Sequence, residues 1–218
     1  MNIVIRRRSI PVTLLLLALL IAVLLYLLPP EETLGNAIKA VFIHGALVEA
    51  GLLAFGAAGL LGLACLVRES EALHQWCLAV QKTTVVVWVA YAISSMVATY
   101  LAWGVAIAWN EPRVRVSANL LGAALIFLVL ALWVRNRYLT GAANVVMAAL
   151  AWGLTKGAIN IRHPFNPIGT SDSATFKWLF AGTLVAVILM VVQTARWLFR
   201  PESTSGPDSA PGGDRAGV

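Results

Sequence analysis

The chain has 218 residues, of which 60% are hydrophobic and 12% are charged, and its mean hydropathy is +0.82. Soluble domains carry about 25% charged residues, so this composition excludes an ordinary water-exposed surface. We therefore expect an all-α, polytopic integral membrane protein built as a bundle of six transmembrane helices. The net charge of +6 fits cations that flank membrane spans. No basic run is interleaved with aromatic residues, so we expect no nucleic acid partner.

The N-terminal segment, residues 1–9, contains three consecutive arginines. The apolar run Ile10–Leu28 follows and ends at Pro29. At about 19 residues this run is longer than the apolar core of a signal peptide. We therefore expect a retained first transmembrane helix.

Five further apolar runs are each candidates for a span of about 20 residues, and the fifth run of the chain is the shortest. Small residues are frequent in the second, which predicts close helix packing in lipid. Together with the first run they define one transmembrane domain, residues 10–199, followed by a Pro-, Gly- and Ser-rich segment, residues 200–218, that we expect to be disordered. The five runs are Ala40–Val67, Val80–Trp103, Ala118–Val134, Ala142–Leu154 and Phe176–Phe199.

The distribution of Lys and Arg between the connecting segments predicts the orientation. With the N-terminus in the cytoplasm, the cytoplasmic segments up to Arg200 hold nine of these cations and the outer segments hold six. This bias favours a multi-pass protein of the cell membrane with a cytoplasmic N-terminus. The six outer cations are more than topology requires, so we expect the outer loops to bind an anionic group.

Motifs for common chemistry are absent: the chain has no phosphate-binding loop, no GxSxG and no HExxH. Glu49 is the only acid deep in an expected span, whereas ion pathways contain several intramembrane ionisable groups. Cys65 and Cys77 fit no redox or zinc pattern, and we expect both to be packing residues. His74 falls in the expected cytoplasmic loop Arg68–Leu78, where a solvated histidine is the ordinary interpretation.

The other two histidines are expected at one membrane face. His44 lies near the outer end of the second span, and His163 lies in the outer loop between the fifth and sixth spans. Two imidazoles at one face can serve as axial ligands of haem iron. The alternative for each is an ordinary hydrogen-bonding histidine at headgroup level.

The outer loop between the third and fourth spans is apolar and contains Trp103 and Trp109, followed by the cations Arg113 and Arg115. Aromatic rings beside cations suit a flat hydrophobic ligand that carries carboxylates. Haem has these properties, because its macrocycle can stack on indoles and its propionates can pair with arginine.

This loop resembles the tryptophan-rich "WWD" loop of the cytochrome c assembly family, the haem exporter protein C-like proteins. That loop runs approximately W-G-x-W-W-x-W-D-P-R between the third and fourth spans. Trp103, Gly104 and Trp109 match its first Trp, its Gly and its last Trp, and Pro-Arg follows one residue late. Residues 105–107 replace the two central tryptophans.

The family also has an outer histidine at the start of the second span and another before the sixth, which His44 and His163 match in position. The resemblance covers about residues 10–197. It implies a non-enzymatic, haem-handling protein that holds b-type haem transiently at the outer face and presents it to a partner for cytochrome c biogenesis. Implied partners are a haem chaperone and ATP-driven transporter subunits, besides membrane lipid. The implied site residues are His44 and His163 as iron ligands, Trp103 and Trp109 along the ring, Arg113 with Arg115 or Arg162 at the propionates, and Asn110 or Glu111 in place of the family's Asp.

Two alternatives remain. A membrane b-type redox subunit would use the same histidines, but stable electron-transfer haems usually have ligands inside the bundle rather than at helix ends. A cofactor-free structural or accessory subunit, a diverged relative of the family, is favoured by the missing tryptophans. Binding of haem separates the last alternative from the others.

Overall fold

A computed structural model describes the backbone of residues 2–158 and 168–200, and side chains from residue 9 onward. Six helices in these ranges are long and apolar enough to cross a membrane. The expected all-α, six-span architecture is therefore confirmed, and the chain is a multi-pass membrane protein. His163, Arg162 and the tail from residue 201 lie outside the described residues. The helices are α1 Asn2–Leu27, α2 Ile38–Val67, α3 Glu71–Trp103, α4 Pro112–Val134, α5 Arg137–Gly157 and α6 Ala174–Leu198.

Successive helices run in alternating directions, so α2, α4 and α6 start at the same end of the bundle. We call this end the His44 end and the opposite one the His74 end, after the histidine that lies nearest to each. Helices α2, α3, α4 and α5 pack around one apolar core, while α6 packs on α2 and α3 and α1 packs mainly on α6. The core residues include Phe55, Trp88, Tyr91, Leu120 and Met147.

The start of α3 differs from the sequence prediction. The expected loop through Leu78 is wrong, because α3 already begins at Glu71. Ser70 caps this helix: its hydroxyl accepts a hydrogen bond from the amide of Leu73 at 3.3 Å. His74 therefore lies in the first turn of a helix rather than in a solvated loop, and its Nε2 is 3.3 Å from the Thr140 hydroxyl. Polar residues here extend a helix beyond the apolar run that hydropathy detects.

The fifth span, the shortest of the expected runs, is a helix of 21 residues. Asn136 starts it by accepting hydrogen bonds from the amides of Tyr138 and Leu139. Arg137 in its first turn forms an ion pair with Glu69. The cap and the ion pair explain why α5 begins five residues before the apolar run does.

Glycines of α2 allow α5 to approach closely, as the small residues of this span predict. A Cβ atom added at Gly62 would lie 2.5 Å from the carbonyl oxygen of Gly141, and one at Gly59 would lie 2.6 Å from the Cβ of Ala148. Side chains at these positions would collide with the neighbouring helix. The two backbones thus pack directly against each other, as in other small-residue helix pairs in membranes.

Candidate functional site at the His44 end

His44 lies in the second turn of α2, where its half-buried ring is held by an aromatic side chain of α3. The imidazole stacks on the ring of Tyr91, with ring centroids 5.0 Å apart and an angle of 24° between the planes. The Nδ1 atom of His44 is buried. The orientation of this imidazole is therefore set by the packing of two helices.

Tyr91 is in turn fixed by α3 and α4. Its hydroxyl is 2.8 Å from the Ser117 hydroxyl, and its ring packs against Trp88 with centroids 4.6 Å apart. The indole Nε1 of Trp88 donates to the Ser117 carbonyl at 3.1 Å. Gly51 of α2 allows this indole to approach, because a Cβ there would lie 2.8 Å from it. Three helices thus determine where the His44 ring lies.

Arg113 places a cation near this cluster. It lies in the first turn of α4, four residues before Ser117, and therefore on the same face of that helix. Glu111, the N-cap residue of α4, is only 2% exposed. A buried carboxyl group is stable only with polar or charged partners. The start of α4 therefore holds a guanidinium and a buried carboxyl group within two turns of Ser117.

The tryptophan loop, residues 104–111, joins α3 to α4 and follows Trp103, the last residue of α3. Gly104 caps that helix with a left-handed backbone, φ 73°, which favours glycine. Trp103 is half-buried and lies more than three turns beyond Tyr91, about 18 Å along the helix axis at 1.5 Å per residue. Trp109 is 58% exposed. The two indoles therefore do not pack around His44 in the way that the Tyr91 ring does.

The structure thus places His44 on the Tyr91 ring, and Arg113 lies one helical turn from Ser117, the residue of α4 that Tyr91 contacts. Asn110 and Arg115 are exposed on the surface. The remaining candidate ligand, His163, belongs to the segment 159–167, which the structure does not describe.

Sequence reasoning did not identify Tyr91, Trp88 or Ser117 as part of this site. The available signal is that each places a hydrogen-bonding atom inside an apolar span, where lipid offers no partner. Such atoms are expected to bond within the bundle, and here they bond to one another across α3 and α4.

Conventional metal coordination does not fit the described part of the chain, where no three His, Cys, Asp or Glu side chains come together. Haem differs, because the macrocycle supplies four ligands to iron and the protein supplies only one or two. No family model, curated protein or solved structure matches this chain.

Proposed function

We propose that this protein holds b-type haem transiently at the His44 end and presents it to a partner that assembles c-type cytochromes. The observation that carries the proposal is an oriented imidazole, His44, that stacks on Tyr91, together with a guanidinium, Arg113, one helical turn from the Ser117 hydroxyl that Tyr91 contacts. Haem needs an axial ligand for iron and a cation for its propionates. The resemblance of the tryptophan loop to the cytochrome c assembly family supports the same assignment.

The residues fit haem in their chemistry. Because Nδ1 of His44 is buried, Nε2 is the ring nitrogen that would bind iron. Arg113 would pair with a propionate. His163 would supply the second axial ligand. Haem held in this way would be the group that is passed to the acceptor protein.

The position of His44 suits transfer rather than storage. It lies in the second turn of its helix, so haem bound there would remain at the end of the bundle, within reach of another protein. The charge bias of the connecting segments supports placing this end outside the cytoplasm. A haem chaperone and an ATP-driven transporter are the partners that the family resemblance implies.

Replacing His44 with alanine tests the proposal. We expect the purified protein in detergent micelles to develop a Soret band when it is titrated with Fe(III) protoporphyrin IX. His44→Ala should weaken this binding by about tenfold or more, the loss typical of perturbed metal ligation. His74→Ala is the matched control, because it removes an imidazole from the opposite end and should leave the affinity unchanged.

Equal affinities for the wild type, His44→Ala and His74→Ala would show that haem binds elsewhere or only partitions into the micelle. Absence of any Soret shift in the wild type would contradict haem handling altogether. Either result removes the assignment of iron to His44.

Arg113→Ala tests the contact with the propionates. We expect affinity to fall by about fivefold at low salt, roughly 1 kcal/mol for a partly exposed ion pair. The difference from the wild type should shrink at high salt, where charges are screened. Arg196→Ala, which removes an exposed cation at the His74 end, should have no effect. A loss that does not depend on salt, or that also appears with haem dimethyl ester, would contradict the ion pair.

One observation favours the second candidate, a cofactor-free accessory subunit. Glu49 is exposed on the surface stripe of α2 that also carries Leu53, Leu60 and Val67. In a bilayer this stripe would face lipid, where an ionisable side chain is costly and usually has a partner. A neighbouring subunit could supply a partner for Glu49. The haem titration of the wild type separates this candidate from the first.

A further inference from the structure

Gln81 is a buried polar side chain whose amide forms no hydrogen bond with the described residues. It lies on α3 about 15 Å along the axis from the start of that helix, one residue after the beginning of the apolar run Val80–Trp103. The residue is 5% exposed. Neither Oε1 nor Nε2 of its amide has a hydrogen-bond partner among the described residues.

A small cavity adjoins this amide at the centre of the four-helix core. Its volume is about 10 Å³, which is enough space for one water molecule. Four helices contribute to its lining, and much of the lining is apolar. The lining includes Phe55, Gln81, Thr84, Ala124, Asn144 and Met147.

Two further polar groups of the lining can complete a hydrogen-bonding site. Asn144 directs its Nδ2 to the sulfur and the carbonyl oxygen of Cys77, at 3.0 and 3.3 Å, which leaves Oδ1 as an acceptor. The Thr84 hydroxyl donates to the carbonyl of Val80 at 2.8 Å, so its oxygen can accept a further bond. Together with Gln81, these groups offer one donor and three acceptors.

We propose that this cavity is a binding site for a single water molecule, which accepts from Gln81 Nε2 and donates its two O–H groups to two of the three acceptor oxygens around it. A buried water typically makes two to four hydrogen bonds, and this lining provides that number. A cation fits less well, because the lining has no carboxylate and an amide N–H group faces the site. The bound water would connect α3 to α5 in the centre of the bundle.

Met147 provides a direct test, because it lines the cavity and is only 3% exposed. X-ray radiolysis of the full-length protein in lipid nanodiscs produces hydroxyl radicals from bound waters in place, and mass spectrometry measures methionine oxidation. We expect Met147 to oxidise at least as fast as Met190, which is half-buried on α6. Gln81→Leu should slow oxidation of Met147 by about threefold or more and leave Met96 and Met190 unchanged.

A second pair of variants keeps the test valid if Gln81→Leu fails to fold. Thr84→Val removes one acceptor of the site and should also slow Met147 oxidation. Thr183→Val removes an equally buried hydroxyl on α6 and should not. The proposal would be overturned if irradiation did not raise Met147 oxidation in the wild type above that of an unirradiated sample. Equal rates of Met147 oxidation in all variants would also overturn it. Loss of Met147 oxidation specifically in sodium, compared with choline, would show that a cation displaces the water, and would also overturn it.

Discussion

Trp88→Ala is expected to lower the free energy of unfolding by about 3 kcal/mol. Trp88 is 0% exposed, and its ring packs against that of Phe55 in a T-shaped arrangement with ring centroids 5.2 Å apart. Lipid tails are as apolar as the bundle interior, so transfer of the indole to lipid adds little to the cost. The loss comes from van der Waals contacts and from the hydrogen bond to Ser117. These terms place the effect at the low end of the range for a buried tryptophan.

The midpoint of SDS unfolding in mixed micelles, followed by far-ultraviolet circular dichroism, measures this change. Trp178→Ala is the matched control, because that indole is 78% exposed and its removal should shift the midpoint little. The haem affinity of Trp88→Ala should also fall, since Trp88 positions Tyr91 and through it His44. Similar midpoints for the two tryptophan variants would contradict the packing described here.

Gly62→Ala is expected to destabilise the bundle by about 1–3 kcal/mol, the usual cost of overpacking. The added methyl group would lie 2.5 Å from a backbone oxygen, that of Gly141. No side-chain rotation relieves a collision with backbone, so α2 and α5 must separate. The same SDS titration measures the loss.

Gly153→Ala is the control for this glycine. Gly153 also belongs to a helix of the α2–α5 pair, but it lies on an exposed face of α5. A Cβ atom added there would have no other atom within 4 Å. Alanine there should be neutral or stabilising by up to about 1 kcal/mol, because it removes a flexible residue from a helix. Equal destabilisation by the two substitutions would refute the direct contact of the α2 and α5 backbones.

Hydropathy predicted the number and order of the spans because a membrane requires about 20 apolar residues for each crossing. It located the end of α1 well, since Pro29 removes a backbone donor and disfavours helix just before it. It missed the first turns of α3, α4 and α5, so that Arg113 and Arg115 lie in α4 and not in the expected loop. The starts of α3 and α5 are stabilised by the caps Ser70 and Asn136. Caps and ion pairs act outside the lipid and leave no hydropathy signal.

The site was less predictable than the spans. The sequence placed His44 and Arg113 at the same end, because successive spans cross the membrane in opposite directions and the second and fourth therefore start on the same side. It did not predict that Tyr91 stacks on His44, because this depends on the register of α2 against α3. That register is set by the fit of Gly51 to the Trp88 indole. Such contacts join residues far apart in the chain and have no periodic signal.

The haem content of the protein, isolated from the membranes of haem-replete cells, tests the central claim most directly. We predict a Soret band and a b-type pyridine haemochrome in the wild type, both reduced by about tenfold or more in His44→Ala and unchanged in His74→Ala. A wild-type protein without haem, from cells in which a co-produced b-type cytochrome is fully loaded, would contradict the account.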